Sequence, residues 1–387
     1  MYRQCLWLVC CLLMAVVLPA RAAAQAWPDA AQDEDRAYTA SCKSVRGRLL
    51  VPVSILGTGP FWFLLDTGTV VPVLDAAIAD TLGLERKALT TGEDARAGNT
   101  WYASVADFAP GNLPGQPMDL VVTGLDTLAQ PLGEPVKGVL PAHLPGYEVS
   151  LDFAESKITW RPLDAASLSV ARGNVMPMQV DKAGRPRVQA LVGKAHLLDF
   201  VLDMAEPALM TLSQAQREDV APADAPEINI KTPDRESTAH VRLGALALGP
   251  IRIAKPIAVV HPGSEARLGL GFLRRFEVTL NYEFGLARFA LDGDNHLVDP
   301  PAAGTGLLLH HRQEGLWSVR VAVPSPAHDA ALRPGDLLVA IDGQACDGLP
   351  ASAIEELLAC TPGSAHTIEV RRDDRRLRAT IACVELL

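Results

Sequence analysis

The chain has 387 residues, enough for two or three domains, and 49% apolar with 21% charged residues is the mix of a folded protein with a real core. Its formal charge of −10 excludes nucleic acid and anionic lipid surfaces as partners. No glycine-rich phosphate loop and no dinucleotide fingerprint is present, which removes the nucleotide-binding classes.

The first element reads as targeting. Met1-Tyr2-Arg3-Gln4 is a short basic start, Cys5 to Leu18 is an apolar run, and small-x-small sites follow at Ala20-Arg21-Ala22 and Ala24-Gln25-Ala26. We expect a signal peptide over 1–22, with 26 as the latest cleavage point, and export to a periplasmic or extracellular compartment. The run is shorter than the about 20 residues of a membrane helix, and no later stretch is apolar enough to span, so no membrane span is expected after signal removal. Cys42, Cys346, Cys360 and Cys383 would remain. Three of them lie in the last fifth of the chain, where an oxidising compartment favours one disulfide of undetermined pairing. The nine histidines are scattered without ligand spacing, so no metal and no cofactor is expected.

Residues 49–68 alternate, turn near Gly57, and run through an apolar strand into Asp66-Thr67-Gly68. A carboxylate at that corner must be hydrogen-bonded, paired or neutralised, because isolated burial is costly. Farther on, Tyr147 to Trp160 reads as a β-hairpin. It aligns without a gap with Phe276 to Phe289, 276 − 147 = 129 residues later, so that Glu meets Glu, Ser150 meets Thr279 and Asp152 meets Asn281. Residues 187–206 likewise resemble 49–68, each ending an apolar strand on Leu-Asp, with Asp66 and Asp203 separated by 203 − 66 = 137 residues. The expectation is a duplication into two lobes, 44–163 and 174–292, joined by the segment 161–174 and followed by a Pro/Gly/Asp-rich linker.

The rest of the chain, 305–387, has a different pattern. A strand over Leu316 to Val323 precedes a Pro-Gly-Asp corner, a buried strand ending in an Asp-Gly turn, an amphipathic helix stopped by Pro362-Gly363, and a hairpin turning at Asp373-Asp374.

These residues carry a family resemblance. The segment Phe63 to Asp75 resembles the first active-site loop of pepsin-like and retropepsin-like aspartic peptidases, and the two lobes resemble the single-chain version of that fold. The segment Ser325 to Gln344 closely resembles a bacterial-type PDZ domain. The resemblance implies a mainly β protein, with two duplicated acid-protease-like β-barrel lobes followed by an α+β PDZ domain. It implies hydrolysis of peptide bonds by a water activated between Asp66 and Asp203, which share one proton. Thr67 and Gly68 would support the loop, and a flap over substrate would fall within Asn99 to Gly111, with Trp101 and Tyr102 as cover. Polypeptide substrates or C-terminal peptide ligands are the implied partners, and a PDZ carboxylate loop is expected near Glu314, Gly315, Leu316 and Trp317, with peptide added beside the following strand. The text match Gly269-Leu270-Gly271-Phe272 to such a loop is assigned instead to lobe two. With both lobes in one chain, a monomer suffices.

The second loop departs from the pattern. Met204 lacks the hydroxyl of the family's loop and Ala205 puts a Cβ where that loop has glycine, and Val139-Leu140-Pro141-Ala142 fits the glycine brace poorly where Leu268-Gly269-Leu270-Gly271 fits it. Two functions follow: an exported aspartic endopeptidase, or a decayed protease scaffold that binds polypeptide without cutting it.

Overall fold

The computed structural model describes residues 37–45, 47–87, 100–125, 128, 136–163, 173–193, 196–233, 235–261, 265–291, 295–313 and 315–387. The expected signal peptide lies outside the described residues, as does most of the segment joining the lobes.

Strands dominate. Lobe one is built from β1 (Tyr38–Ser41), β2 (Lys43–Val45), β3 (Arg48–Ile55), β4 (Thr58–Asp66) and β5 (Val73–Asp75), the short helix α1 (Ala76–Thr81), then β6 (Trp101–Pro110), β7 (Gln116–Thr123), β8 (Gly138–Pro141), β9 (Tyr147–Asp152) and β10 (Lys157–Pro162). The β3–β4 hairpin turns at Leu56 and Gly57, both with positive φ. The second half of β4 is buried on both faces. Phe63 and Leu65 enter the main core, while Leu64 joins Leu50, Val73 and Val121 in a second cluster. A strand covered twice reads as a continuous apolar run, which is why alternation fades just before Asp66. β8 runs parallel to β4, setting Leu64 opposite Val139 and Asp66 opposite Pro141.

Lobe two contains β11 (Asn174–Pro177), β12 (Gln179–Val180), β13 (Pro186–Val192), β14 (His196–Leu202) and β15 (Met210–Leu212), helix α2 (Gln214–Val220) and β16 (Glu227–Thr232). It continues with β17 (Arg235–Arg242), β18 (Ala245–Leu248), β19 (Ile251–Ala254), β20 (Ile257–Val260), β21 (Arg267–Leu268), the one-turn helix α3 (Leu270–Leu273), β22 (Glu277–Asn281) and β23 (Leu286–Ala290). Helix α2 starts on a capping box, in which Ser213 and Gln216 satisfy each other's backbone N–H groups. The pairings of lobe one recur: β14 runs parallel to β21 as β4 does to β8, and β15 runs parallel to β20 as β5 does to β7.

A six-stranded sheet in the order β1-β10-β9-β22-β23-β11 joins the lobes. At its centre β9 and β22 pair antiparallel, and Ser150 faces Thr279 with their hydroxyls 2.9 Å apart. These are the residues that the sequence comparison sets opposite each other.

After β24 (His296–Val298) and β25 (Ala303–Gly304) comes a C-terminal domain. It comprises β26 (Leu307–Gln313), β27 (Leu316–Val323), α4 (Pro326–Asp329), β28 (Leu337–Ile341), β29 (Gln344–Ala345), α5 (Ala351–Leu357), β30 (Ala365–Arg372), β31 (Arg375–Ala382) and β32 (Val384–Glu385). Its core is separate, gathering Val319, Val321, Leu338, Ile354, Ile368 and Val370. At the Pro-Gly-Asp corner the buried Asp336 accepts from Arg333 N at 2.9 Å and pairs with Arg372 at 2.7 Å. Cys360 and Cys383 form a disulfide, while Cys42 and Cys346 are free thiols. Among the described residues no helix is long and apolar enough to cross a membrane.

Candidate functional site

Asp66 ends β4, is 2% exposed, and its carbonyl accepts from Ala142 N at 2.8 Å, which pins the loop to the segment after β8. Its Oδ2 accepts from Thr69 Oγ1 at 2.7 Å. Gly68 has no positive φ, and a Cβ there would stand 3.5 Å from Asp66 Oδ2. A Cβ there would make only an ordinary contact with the buried carboxylate, and no tight turn requires the glycine.

Thr67 joins the two loops. Its buried Oγ1 donates to Leu202 O at 2.7 Å and accepts from Met204 N at 3.1 Å, so lobe one holds the backbone on either side of Asp203. Lobe two does not return this grip through a hydroxyl, because the corresponding side chain is the buried, apolar Met204. Ala205 does not adopt the left-handed backbone that would have strained it. Arg48 adds a second tie between the lobes, donating to Ala205 O at 3.1 Å.

Asp203, in the loop that Thr67 holds, is 6% exposed, with Oδ1 accepting from Ala205 N at 2.8 Å. Its other oxygen is taken. Arg267, 8% exposed, donates from Nη1 to Asp203 Oδ2 at 2.5 Å. The registers explain how. Val201 faces Arg267 as Leu64 faces Val139, and each aspartate follows two residues later. Lobe two has thus placed an arginine where lobe one has a valine.

Arg267 is the buried end of a longer charge chain. Its Nη2 lies 3.4 Å from Glu265, which also pairs with Arg185 and with Arg187 at 3.0 Å; Arg187 bonds Asp199 and Arg185 bonds Asp181, each at 2.7 Å. Burial alone would raise Glu265, but hydrogen bonds from Arg185 and Arg187 outweigh it and bring its pKa below the ordinary value. Asp181 is lowered too, its burial outweighed by Arg185. The charge chain ties β13 and its preceding turn to β21, restraining the strand that carries Arg267.

Behind the first loop, Tyr282 stacks on His143 with ring centroids 4.5 Å apart and planes 10° from parallel. The Tyr282 hydroxyl is buried and without a hydrogen-bond partner, and burial raises its pKa with the Asp66 carboxylate adding to the effect.

The expected flap residues sit in walls. Trp101 is 7% exposed under the Arg86 guanidinium, 5.0 Å from its ring centre, and Tyr102 packs on the second cluster of lobe one. Lys87 and Tyr102 exchange backbone hydrogen bonds at 2.8 and 2.9 Å, and residues 88–99, including the start of the expected flap at Asn99, lie outside the described residues. The other end of β6, at Gly111 to Gly115, turns against the joining sheet: a Cβ on Gly111 would meet Ala40 at 2.7 Å and Trp160 at 3.1 Å, and its φ is +57°.

In the C-terminal domain Gly315 occupies the β26–β27 turn with φ +83°, and Leu316 and Trp317 begin β27, where Trp317 Nε1 donates to Leu349 O at 3.1 Å. Peptide addition beside β27 was the sequence expectation, and the arrangement corrects it. One edge of β27 is taken by β26, and the other by β28 at Trp317 and Ser318 and by β16 of lobe two at Val321 to Val323. No open edge remains there for a peptide.

Arg267 is the site residue that sequence reasoning missed. The available signal was an arginine between Ala266 and Leu268 in an otherwise apolar stretch, since a buried guanidinium requires a partner carboxylate.

No curated protein matches the chain. The fold is similar to Basic 7S globulin from soybean, at 11% identity, 67% of this chain and 95% of that one, with a TM-score of 0.43. It is also similar to a retropepsin-like aspartic protease from Rickettsia conorii, at 14% identity, 30% of this chain and 91% of that one, with a TM-score of 0.25. Residues 303–383 match the PDZ domain family model, so the mainly β chain carries a PDZ domain there.

Proposed function

We propose that this is an exported polypeptide-binding protein, in which a duplicated acid-protease-like scaffold holds an extended chain in its interlobe cleft without cutting it and the PDZ domain supplies a second recognition surface. One observation carries the reading: the buried Arg267–Asp203 ion pair. Hydrolysis between two aspartates needs one proton shared by both carboxylates and a water held between them. A guanidinium bonded to one carboxylate supplies a fixed positive charge instead. Protonating Asp203 would deprive the buried guanidinium of its nearer counter-charge, leaving Glu265 at 3.4 Å. The N-terminal signal pattern supports export, and two lobes in one polypeptide support a monomer that needs no metal.

A second reading, an aspartic endopeptidase, is favoured by the Thr67 grip, which still holds both aspartate loops together. It requires Arg267 to leave Asp203 when substrate binds.

The test is to incubate the purified mature chain with an unfolded protein from about pH 3 to about pH 8, following binding by anisotropy and cleavage by mass spectrometry, beside Asp66→Asn and Asp203→Asn. Binding without fragments at any pH supports the proposal. Fragments that vanish in both variants would establish the endopeptidase and sink the binding-only reading.

A further inference from the structure

Lobe two and the PDZ domain share a sheet. β16 pairs antiparallel with β27, setting Asn229 opposite Val323, Ile230 opposite Ala322 and Lys231 opposite Val321. Side chains seal the junction: Ile228 and Ile230 from lobe two, Ala322 from the PDZ domain and Leu387 from the tail are all buried together. The hairpin turn after β16 reaches the Pro-Gly-Asp corner, where a Cβ on Gly335 would touch the Pro233 ring at 3.5 Å.

The last residues strap this junction. β32 pairs with β25 through Ala303–Glu385 and Gly304–Val384, Leu386 N donates to Ala302 O at 2.7 Å, and Ala302 N donates to Leu387 O at 2.8 Å. Arg242, at the end of β17, gathers the pieces: it donates to Lys255 O at 2.6 Å, to Pro300 O at 3.1 Å and to Leu387 O. One guanidinium therefore ties lobe two, the linker and the tail.

We propose that β16 is an internal strand ligand of the PDZ domain, held on the Val321–Val323 edge by the Arg242–Leu387 latch, and that releasing the latch opens this edge to an extended polypeptide of alternating apolar residues. A strand edge accepts an added strand through backbone hydrogen bonds, with alternate side chains choosing the partner. The occupant in cis defines what fits: an extended segment that presents two branched apolar side chains, as Ile228 and Ile230 do, to the pocket around Ala322. The inference concerns the junction and stands whether or not the interlobe cleft cuts its ligand.

The test uses the mature chain carrying Arg242→Ala, Leu387→Asp, or both, with folding checked by circular dichroism. Amide exchange should rise together in 227–232 and 321–323, by tenfold or more, while 58–66 is unchanged. A labelled peptide copying residues 226–233 should bind the latch variants at least tenfold more tightly than the parent chain. A control that fixes β16 in place, Asn229→Cys with Val323→Cys oxidised to a disulfide, should abolish peptide binding, and it remains informative if Leu387→Asp fails to fold. Exchange confined to 384–387, or equal peptide affinity in the latched and unlatched chains, would overturn the proposal.

Discussion

Arg267 and Asp203 form a buried ion pair at the point where lobe one, in the same register, sets Val139 beside the strand that ends in Asp66. Both side chains are largely out of solvent, and Asp203 takes its counter-charge from Arg267, which also lies 3.4 Å from Glu265. Arg267→Val should therefore cost about 3–5 kcal/mol, because it leaves the Asp203 carboxylate alone in a desolvated site. The double variant Arg267→Val with Asp203→Asn should recover most of that loss, since it removes both charges. Urea melts of the two singles and the double supply the cycle. Equal costs for Arg267→Val alone and for the pair would mean that the ion pair is not what the site depends on.

Thr67 makes a second, independent prediction. Thr67→Val preserves shape but removes the hydroxyl that serves both Leu202 O and Met204 N across the lobe boundary. Two buried backbone groups then lose a partner, an expected cost of about 1–3 kcal/mol. Thr67→Ser should restore most of it. Denaturation midpoints for the three proteins decide this, and a neutral Thr67→Val would show that the loops are held mainly by packing.

Much of this architecture was legible because it is written in local patterns. Alternation and turn residues marked the hairpins at 147–160 and 276–289, while the pairing of Ser150 with Thr279 came only from the structure, since a sequence alignment does not say which strands lie side by side. Asp66, Thr67 and Asp203 were placed by the apolar strands leading to them. What stayed hidden depends on contacts that no local pattern encodes. Arg267 finds Asp203 across 64 residues of chain, and nothing short of strand register says that the two meet. The edge of β27 looked open because its occupant, β16, comes from another domain some 90 residues earlier in the sequence. The Cys360–Cys383 bond could be narrowed to the last fifth of the chain but not paired, since pairing is a matter of distance in space.

His143 should make stability depend on pH. Burial pushes its imidazole below the ordinary 6.5, and the Glu283 carboxylate opposes this only in part. The folded state thus holds the neutral ring, and as pH falls the unfolded chain takes up its proton first. Its stabilising contribution is complete above about pH 6.5 and is lost as pH falls toward the depressed folded value. Glu265 and Asp181, both lowered, keep their contributions through this window and lose them only at more acidic pH. His143→Phe retains a ring against Tyr282 and removes the titration. The difference in Tm between about pH 7.5 and about pH 5.5 should be smaller in this variant than in the parent. An unchanged difference would assign the pH dependence to another group.

The two free thiols should be protected in the folded chain. Burial pushes Cys42 from 9.0 up to about 12, with the backbone hydrogen bond at Ile158 offsetting only part, and burial also raises Cys346. Alkylation proceeds through the thiolate, so a rise of this size should slow the reaction of Cys42 at about pH 8 by roughly a thousandfold relative to the unfolded chain. Iodoacetamide labelling followed by peptide mass spectrometry should therefore show little modification at Cys42 and Cys346 in the native protein and rapid modification at both in denaturant. Cys360 and Cys383 should label only after reduction, because their sulfurs are bonded to each other. Fast native labelling at Cys42 would overturn the prediction and mean that this half-buried thiol reaches solvent, although its backbone is tied to Ser156 O.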